Sequence, residues 1–147
     1  MTGEFSIAVH SLVYLNHMGR PLTSEELAKN VCTNPARVRK VLARLKKAGL
    51  VATKEGSEGG YCFELAPEDV NLEQICAAVG EPVAECRWKS GGVDMECLVA
   101  SGMAEIMDGI FAELNSLCLA RLKQITVKDI DSTIFKNAAA AAGGEMK

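Results

Sequence analysis

The stretch from Lys29 to Lys54, KNVCTNPARVRKVLARLKKAGLVATK, constrains this chain more than any other. It holds Lys29, Arg37, Arg39, Lys40, Arg44, Lys46, Lys47 and Lys54, which is half of the 16 basic residues, and no acid at all. Val38, Val41, Leu42 and Leu45 recur at i, i+3, i+4 and i+7, the spacing of one buried helix face. Arg37, Lys40, Arg44 and Lys47 fall on another face. Asn34 is a good N-cap, Pro35 sits where a missing N–H is no loss, and Gly49 suits a left-handed stop. The predicted helix is pinned to a core on one side and positive on the other. A phosphate backbone is the natural partner of such a surface, so the stretch reads as the recognition helix of a helix-turn-helix.

The positive charge is local, because the whole chain of 147 residues carries a net charge of −3. A hydrophobic fraction of 48% is enough to bury a real core. The first residues, MTGEFSIAVHSLVYLNHMGR, lack a basic leader and a small-residue cleavage site, and no apolar run approaches the roughly 20 residues that span a bilayer. The expectation is a cytoplasmic protein without membrane association, with reduced thiols. The cysteines are Cys32, Cys62, Cys76, Cys86, Cys97 and Cys118, irregularly spaced and with no C-x-x-C pair. That pattern argues against a zinc ribbon or a thioredoxin-type site. An enzyme is not expected either. There is no Gly-rich phosphate loop after a strand, no Ser–His–acid arrangement, and only 2 histidines.

In chain order, a first helix is predicted from about Phe5 to Met18, ended by Gly19 and Pro21. Thr23 and Glu26 form a capping box before a short helix over Ser24–Asn30. Val31 to Asn34 is the turn, and the recognition helix follows to about Lys47. Leu50 to Thr53 and Tyr61 to Leu65 read as strands around the turn cluster Glu55–Gly60. Glycines there let the tip approach a backbone closely. Asn71 to Gln74 caps a helix over about Leu72–Val79, and Gly80 to Asp94 is a loop holding Cys86 and Trp88. From Met95 to about Gln124 the apolar residues Leu98, Ile106, Ile110, Leu114, Leu117 and Leu122 recur at near-heptad intervals. Such a helix extends about 45 Å and needs a partner, most simply a second copy of itself. A short helix to about Phe135 and a frayed tail over 137–147 complete the chain. The fold class is therefore mainly α with a small β-hairpin wing: a winged helix-turn-helix plus a long C-terminal dimerisation helix. The expected divisions are 1–66 for the winged domain, 67–94 for a connecting helix and sensor loop, 95–136 for the dimerisation helix and a short last helix, and 137–147 for the tail.

SIAVHSLVYL, LTSEELAKNVCTNPARVRKVLARLKKAGLV, GSEGGY, NLEQICAAV and ITVKDI together resemble the Rrf-two family of bacterial transcription regulators. The resemblance covers nearly the whole chain. It implies a homodimer on double-stranded DNA at a palindromic operator, acting as a repressor. By position it implies base or backbone contacts from Thr33, Asn34, Ala36, Arg37, Arg39 and Lys40, phosphate contacts from Arg44 and Lys54, and Tyr61 at the wing base. Glu55 departs from the family pattern, where several relatives carry an arginine, and a carboxylate there repels DNA. The resemblance also implies two ways of sensing. In one, Cys32 is oxidised to a disulfide with Cys97 of the partner subunit; a helix N-terminus and the neighbouring Arg37 and Lys40 favour its thiolate. In the other, an iron–sulfur cluster uses Cys86 and Cys97, with Asp94 or Glu96, or more remotely Glu4 or His10, completing the ligands. A winged-helix interaction module without redox function is the remaining alternative. Cys62 is expected to be half-buried packing, Cys76 and Cys118 core, His10 a satisfied core or surface residue, His17 exposed, and Trp88 a packing anchor.

Overall fold

The computed structural model describes residues 2–145. Its elements are α1 (Gly3–Met18), α2 (Ser24–Val31), α3 (Pro35–Lys47), β1 (Ala52–Lys54), β2 (Gly60–Cys62), a 3-10 turn (Pro67–Asp69), α4 (Leu72–Val79), α5 (Leu98–Leu122) and α6 (Val127–Glu145).

The helix starts follow their caps. Thr23 accepts from the Glu26 amide at 3.1 Å while Glu26 accepts from the Thr23 amide at 3.1 Å. Asn34 accepts from the Arg37 amide at 2.8 Å, with Pro35 at the first helical position. Asn71 and Gln74 form a second reciprocal pair, and Thr126 and Asp129 a third. At its end α3 closes on Gly49 at φ 80°. The Gly49 amide donates to Lys46 at 3.0 Å and the Leu50 amide to Leu45 at 2.9 Å. That closure takes the Leu50 amide away from any ladder. It is one reason β1 begins at Ala52 rather than at Leu50, which with Val51 is buried in the core instead.

The two strands pair antiparallel, with Ala52 opposite Cys62 and Lys54 opposite Gly60. Tyr61 also exchanges two backbone hydrogen bonds with Leu22, at 2.8 and 3.0 Å, which fastens the hairpin to the α1–α2 linker. The wing glycines serve the wing itself. A Cβ at Gly59 would strike the Lys54 carbonyl, and one at Gly60, at φ 150°, would strike Leu22.

One core joins Leu12 and Leu15 of α1, Leu27 of α2, Val38, Val41, Leu42 and Leu45 of α3, Ile75 and Val79 of α4, and Val127 of α6. It crosses residue 66, so the winged domain and the connecting helix share a single interior. The chain returns to it through Leu72 N–H to Ile125 and Val127 N–H to Val70, both 2.9 Å.

The C-terminal half differs from expectation in its helix bounds and in the surroundings of Trp88 and Cys118. α5 begins at Leu98, not Met95; none of its residues is buried within the chain, as expected of a stripe that needs an outside partner. The last helix does not stop near Phe135. It continues to Glu145, through residues expected to fray, because the alanine run has the highest helix propensity and no proline interrupts it. Met146 and Lys147 of the expected tail lie outside the described residues. Trp88 is not a packing anchor, since 76% of it is exposed. Cys62 is buried rather than half-buried, Cys76 is buried, and Cys118 is only half-buried. Among the described residues no helix is long and apolar enough to cross a membrane.

Candidate nucleic-acid interface

α3 buries Val38, Val41, Leu42 and Leu45 and leaves Arg37, Arg39, Lys40, Lys46 and Lys47 exposed. The apolar stripe thus turns the cationic face outward, as the sequence spacing requires. The joint that aims the helix is short. Cys32 ends α2 at φ 65°, a left-handed backbone that a cysteine rarely adopts. The half-buried Thr33 then donates its amide to Ala28 at 3.0 Å, and Asn34 opens α3.

The basic residues are less free than their charges suggest. Glu4, in the first turn of α1, accepts from Arg44 Nη1 at 2.7 Å and pairs with Lys40 Nζ at 3.1 Å, while its own side chain is only 13% exposed. Arg44 also donates to the Val79 carbonyl at the end of α4, at 3.0 Å. Through these bonds Arg44, expected on a phosphate, also joins α1, α3 and α4. Its carboxylate partner was foreseen only as a remote cluster ligand. Arg39 donates to Ser24 Oγ at 3.1 Å and lies 3.7 Å from Glu25. Arg37 lies against the backbone of Gly3, with no carboxylate partner among the described residues. Lys54 pairs with Glu64 at 3.6 Å, and Lys46 donates to Thr53 at 2.9 Å, tying the end of α3 to the wing. Tyr61 packs half-buried against the core at the wing base.

Hydrogen bonding from Lys40, opposed by desolvation and helped by the charges of Lys40 and Arg44, holds the Glu4 carboxyl below the ordinary glutamate range. A depressed folded-state value adds stability that is fully present above the ordinary range and is lost as pH falls through the depressed one. Glu4→Gln is therefore expected to cost about 1 kcal/mol near neutrality. The gap between the two proteins should close in acid. Urea denaturation from pH 7 to pH 3 measures it; a gap that is constant with pH would assign the loss to packing.

The cysteines divide by environment. Cys97 is the N-cap residue of α5 and is exposed. Its thiol closes no cap hydrogen bond, but the first-turn amides of Ala100, then Val99, hold it below the ordinary thiol range. Cys32 does not sit at the α3 amides as expected. Its Sγ faces the last carbonyls of α2, those of Lys29 at 3.8 Å and Asn30 at 3.9 Å, and the Lys40 beside which it was expected is paired with Glu4. Burial pushes the Cys76 thiol up, and its S–H donates to Glu81. Cys86 is exposed and donates to the Trp88 carbonyl at 3.3 Å. Among the described residues no three His, Cys, Asp or Glu side chains come together as a metal site. Cys86 and Cys97 supply two thiols where an iron–sulfur cluster takes four ligands, so the donor set of one chain does not fit that group. His10 is satisfied at the surface by Asn30, 2.7 Å away, and the exposed His17 stacks on Phe135 at 4.7 Å.

The sequence profile of the Rrf2 family, described as an iron-dependent transcriptional regulator, matches residues 1–132. The chain belongs to the Rrf2 family. Membership makes it a DNA-binding transcriptional regulator and not an enzyme. This Rrf2 regulator is 27% identical over 125 residues to IscR of Photobacterium profundum, across 82% of this chain and 72% of that one. Its fold is similar to that of a transcriptional regulator from Lactobacillus plantarum, with a TM-score of 0.78 and 27% identity over 96% of this chain and 99% of the other. It is also similar to CymR, the global cysteine regulator of Bacillus subtilis, with a TM-score of 0.67, 16% identity, and 90% and 96% of the two chains covered. Those neighbours share the winged helix and long C-terminal helix found here.

Proposed function

We propose that this Rrf2 regulator is a cytoplasmic homodimeric repressor that holds a palindromic operator through α3 and releases it on thiol oxidation. In this reading Thr33, Asn34, Ala36, Arg37, Arg39 and Lys40 meet the major groove, and Lys54 meets a phosphate. Arg44 supports the helix from behind. The second copy is called for by α5, where Ile106 is 61% and Leu117 62% exposed on an apolar stripe with no cover in its own chain. A groove of about 600 Å³ between α1 and α6, lined by Phe5, Val9, Val13, Tyr14, Ile134 and Phe135, offers a further apolar surface for that copy.

The observation that carries the redox reading is the place of two exposed thiols. Cys97, activated by helix amides, stands at the head of the helix that seeks a partner, and Cys32 forms the joint that aims α3. Oxidation joins Cys32 to Cys97 of the partner subunit. Two S–H bonds become one S–S bond, and two protons and two electrons pass to a peroxide, which is reduced to water, or to diamide. A bond at the α2–α3 joint shifts the recognition helices, whose half-sites lie about 34–36 Å apart. Diamide should give a dimer on a non-reducing gel and at least tenfold weaker operator binding, both reversed by dithiothreitol. Cys32→Ser and Cys97→Ser should each abolish both effects; crosslinking and release that persist in both variants would refute the pairing.

A further inference from the structure

We infer that the acidic tip of the wing, beyond Lys54, is a repulsive element, which keeps the turn off the DNA backbone and confines sequence readout to α3. The inference rests on α3 facing the duplex. Over Ala52–Glu64 the hairpin carries one cation, Lys54, and three acids, Glu55, Glu58 and Glu64. The cation is already paired, since Lys54 Nζ lies 3.6 Å from Glu64. Glu55 and Glu58 are exposed at the tip, and neither has a salt-bridge or hydrogen-bond partner among the described residues.

Their charges do no visible work in the turn. The hairpin closes through Gly59 N–H to Gly56 at 3.1 Å and through close backbone contacts that only Gly59 and Gly60 allow. Nor is the tip free to swing away. Lys46 Nζ fastens Thr53 to the end of α3 at 2.9 Å, and Tyr61 is paired with Leu22. A negative tip is therefore carried on a base fastened to Lys46 of α3, next to any duplex that α3 engages. Carboxylates within a Debye length of phosphates, about 10 Å at 0.1 M salt, oppose association and are progressively screened as salt rises. A wing so charged does not read the minor groove, whose potential attracts arginine and lysine. Operator positions flanking the bases under α3 should show no preference for A·T pairs.

The test compares the full chain with Glu55→Gln/Glu58→Gln by fluorescence anisotropy on a mixed-sequence 30-bp duplex between 50 and 200 mM salt. Glu68→Gln/Asp69→Gln, on the exposed 3-10 turn, changes net charge equally and serves as the control. The wing variant should bind about three- to tenfold tighter at 50 mM salt, with a steeper salt slope and a smaller advantage at 200 mM. The control should change affinity less than twofold. Equal affinity of parent and wing variant, or an equal gain in the control, overturns the inference. Arg37→Ala separates the two layers of the argument. If it weakens binding while the wing variant gains nothing, only the wing inference fails. If parent and wing variant both ignore DNA, the α3 reading fails and takes this one with it.

Discussion

Placing lysines at Ile106 and Leu117 is expected to turn the proposed dimer into a monomer and to weaken operator binding about a hundredfold or more. Both residues lie on α5, 61% and 62% exposed, so neither supports the fold of its own chain. Covering an Ile or Leu side chain contributes about 1.5–3 kcal/mol. Each substitution acts twice in a symmetric pair, and each leaves an ammonium to be buried without a partner. The DNA effect follows from bivalency. Two α3 helices on one rigid body give the second contact a high effective concentration, and a monomer loses that gain of roughly 10²–10⁴. Sedimentation equilibrium reports the mass, and anisotropy on a duplex selected by the parent protein from a random pool reports the affinity. A double variant that stays dimeric at micromolar concentration would show that α5 is not the interface.

Leu42→Ala is expected to cost about 2–5 kcal/mol of stability, a large part of the 5–15 kcal/mol typical of a domain. Leu42 is fully buried between the other apolar residues of α3 and the helices it packs against. Its removal forfeits the transfer energy of the side chain and leaves a cavity that the short helices close only in part. Ala43 is the neighbouring control, because it is exposed and Ala43→Ser should stay within about 0.5 kcal/mol. Urea titration at one fixed protein concentration compares them, since any self-association makes stability depend on concentration. Equal midpoints for Leu42→Ala and the parent would mean that α3 is not anchored through this face.

The core, the helix-turn-helix and the wing were legible because their signals are local. Asn34–Pro35, the Thr23–Glu26 box and the turn at Gly49 each act within a few residues of themselves, and the 3.6-residue spacing of Val38 to Leu45 names the buried face directly. Errors clustered where a signal was weak or belonged to another part of the chain. The last helix runs past its expected end near Phe135 because the segment 137–147 reads as a frayed terminus by its position, whereas its alanines favour helix. Trp88 was given a packing role on residue type alone, although nothing in its loop required one. The exposure of α5 in its own chain was legible, since a near-heptad stripe longer than the winged domain calls for a partner outside it.

Residue order by itself determined α3 as an amphipathic helix with a cationic face, its caps, the hairpin after it, and the long apolar stripe of α5. Only the tertiary structure decided which cations on α3 are free. Glu4 and Arg44 are separated by 40 positions, yet they meet at 2.7 Å because α1 crosses α3 over their shared apolar face. The same packing set Cys32 at the end of α2 rather than the start of α3, and joined α4 to the winged domain in one interior. Caps and periodicity are properties of a few adjacent residues. An ion pair between two helices depends on how their buried faces pack, which no single segment contains.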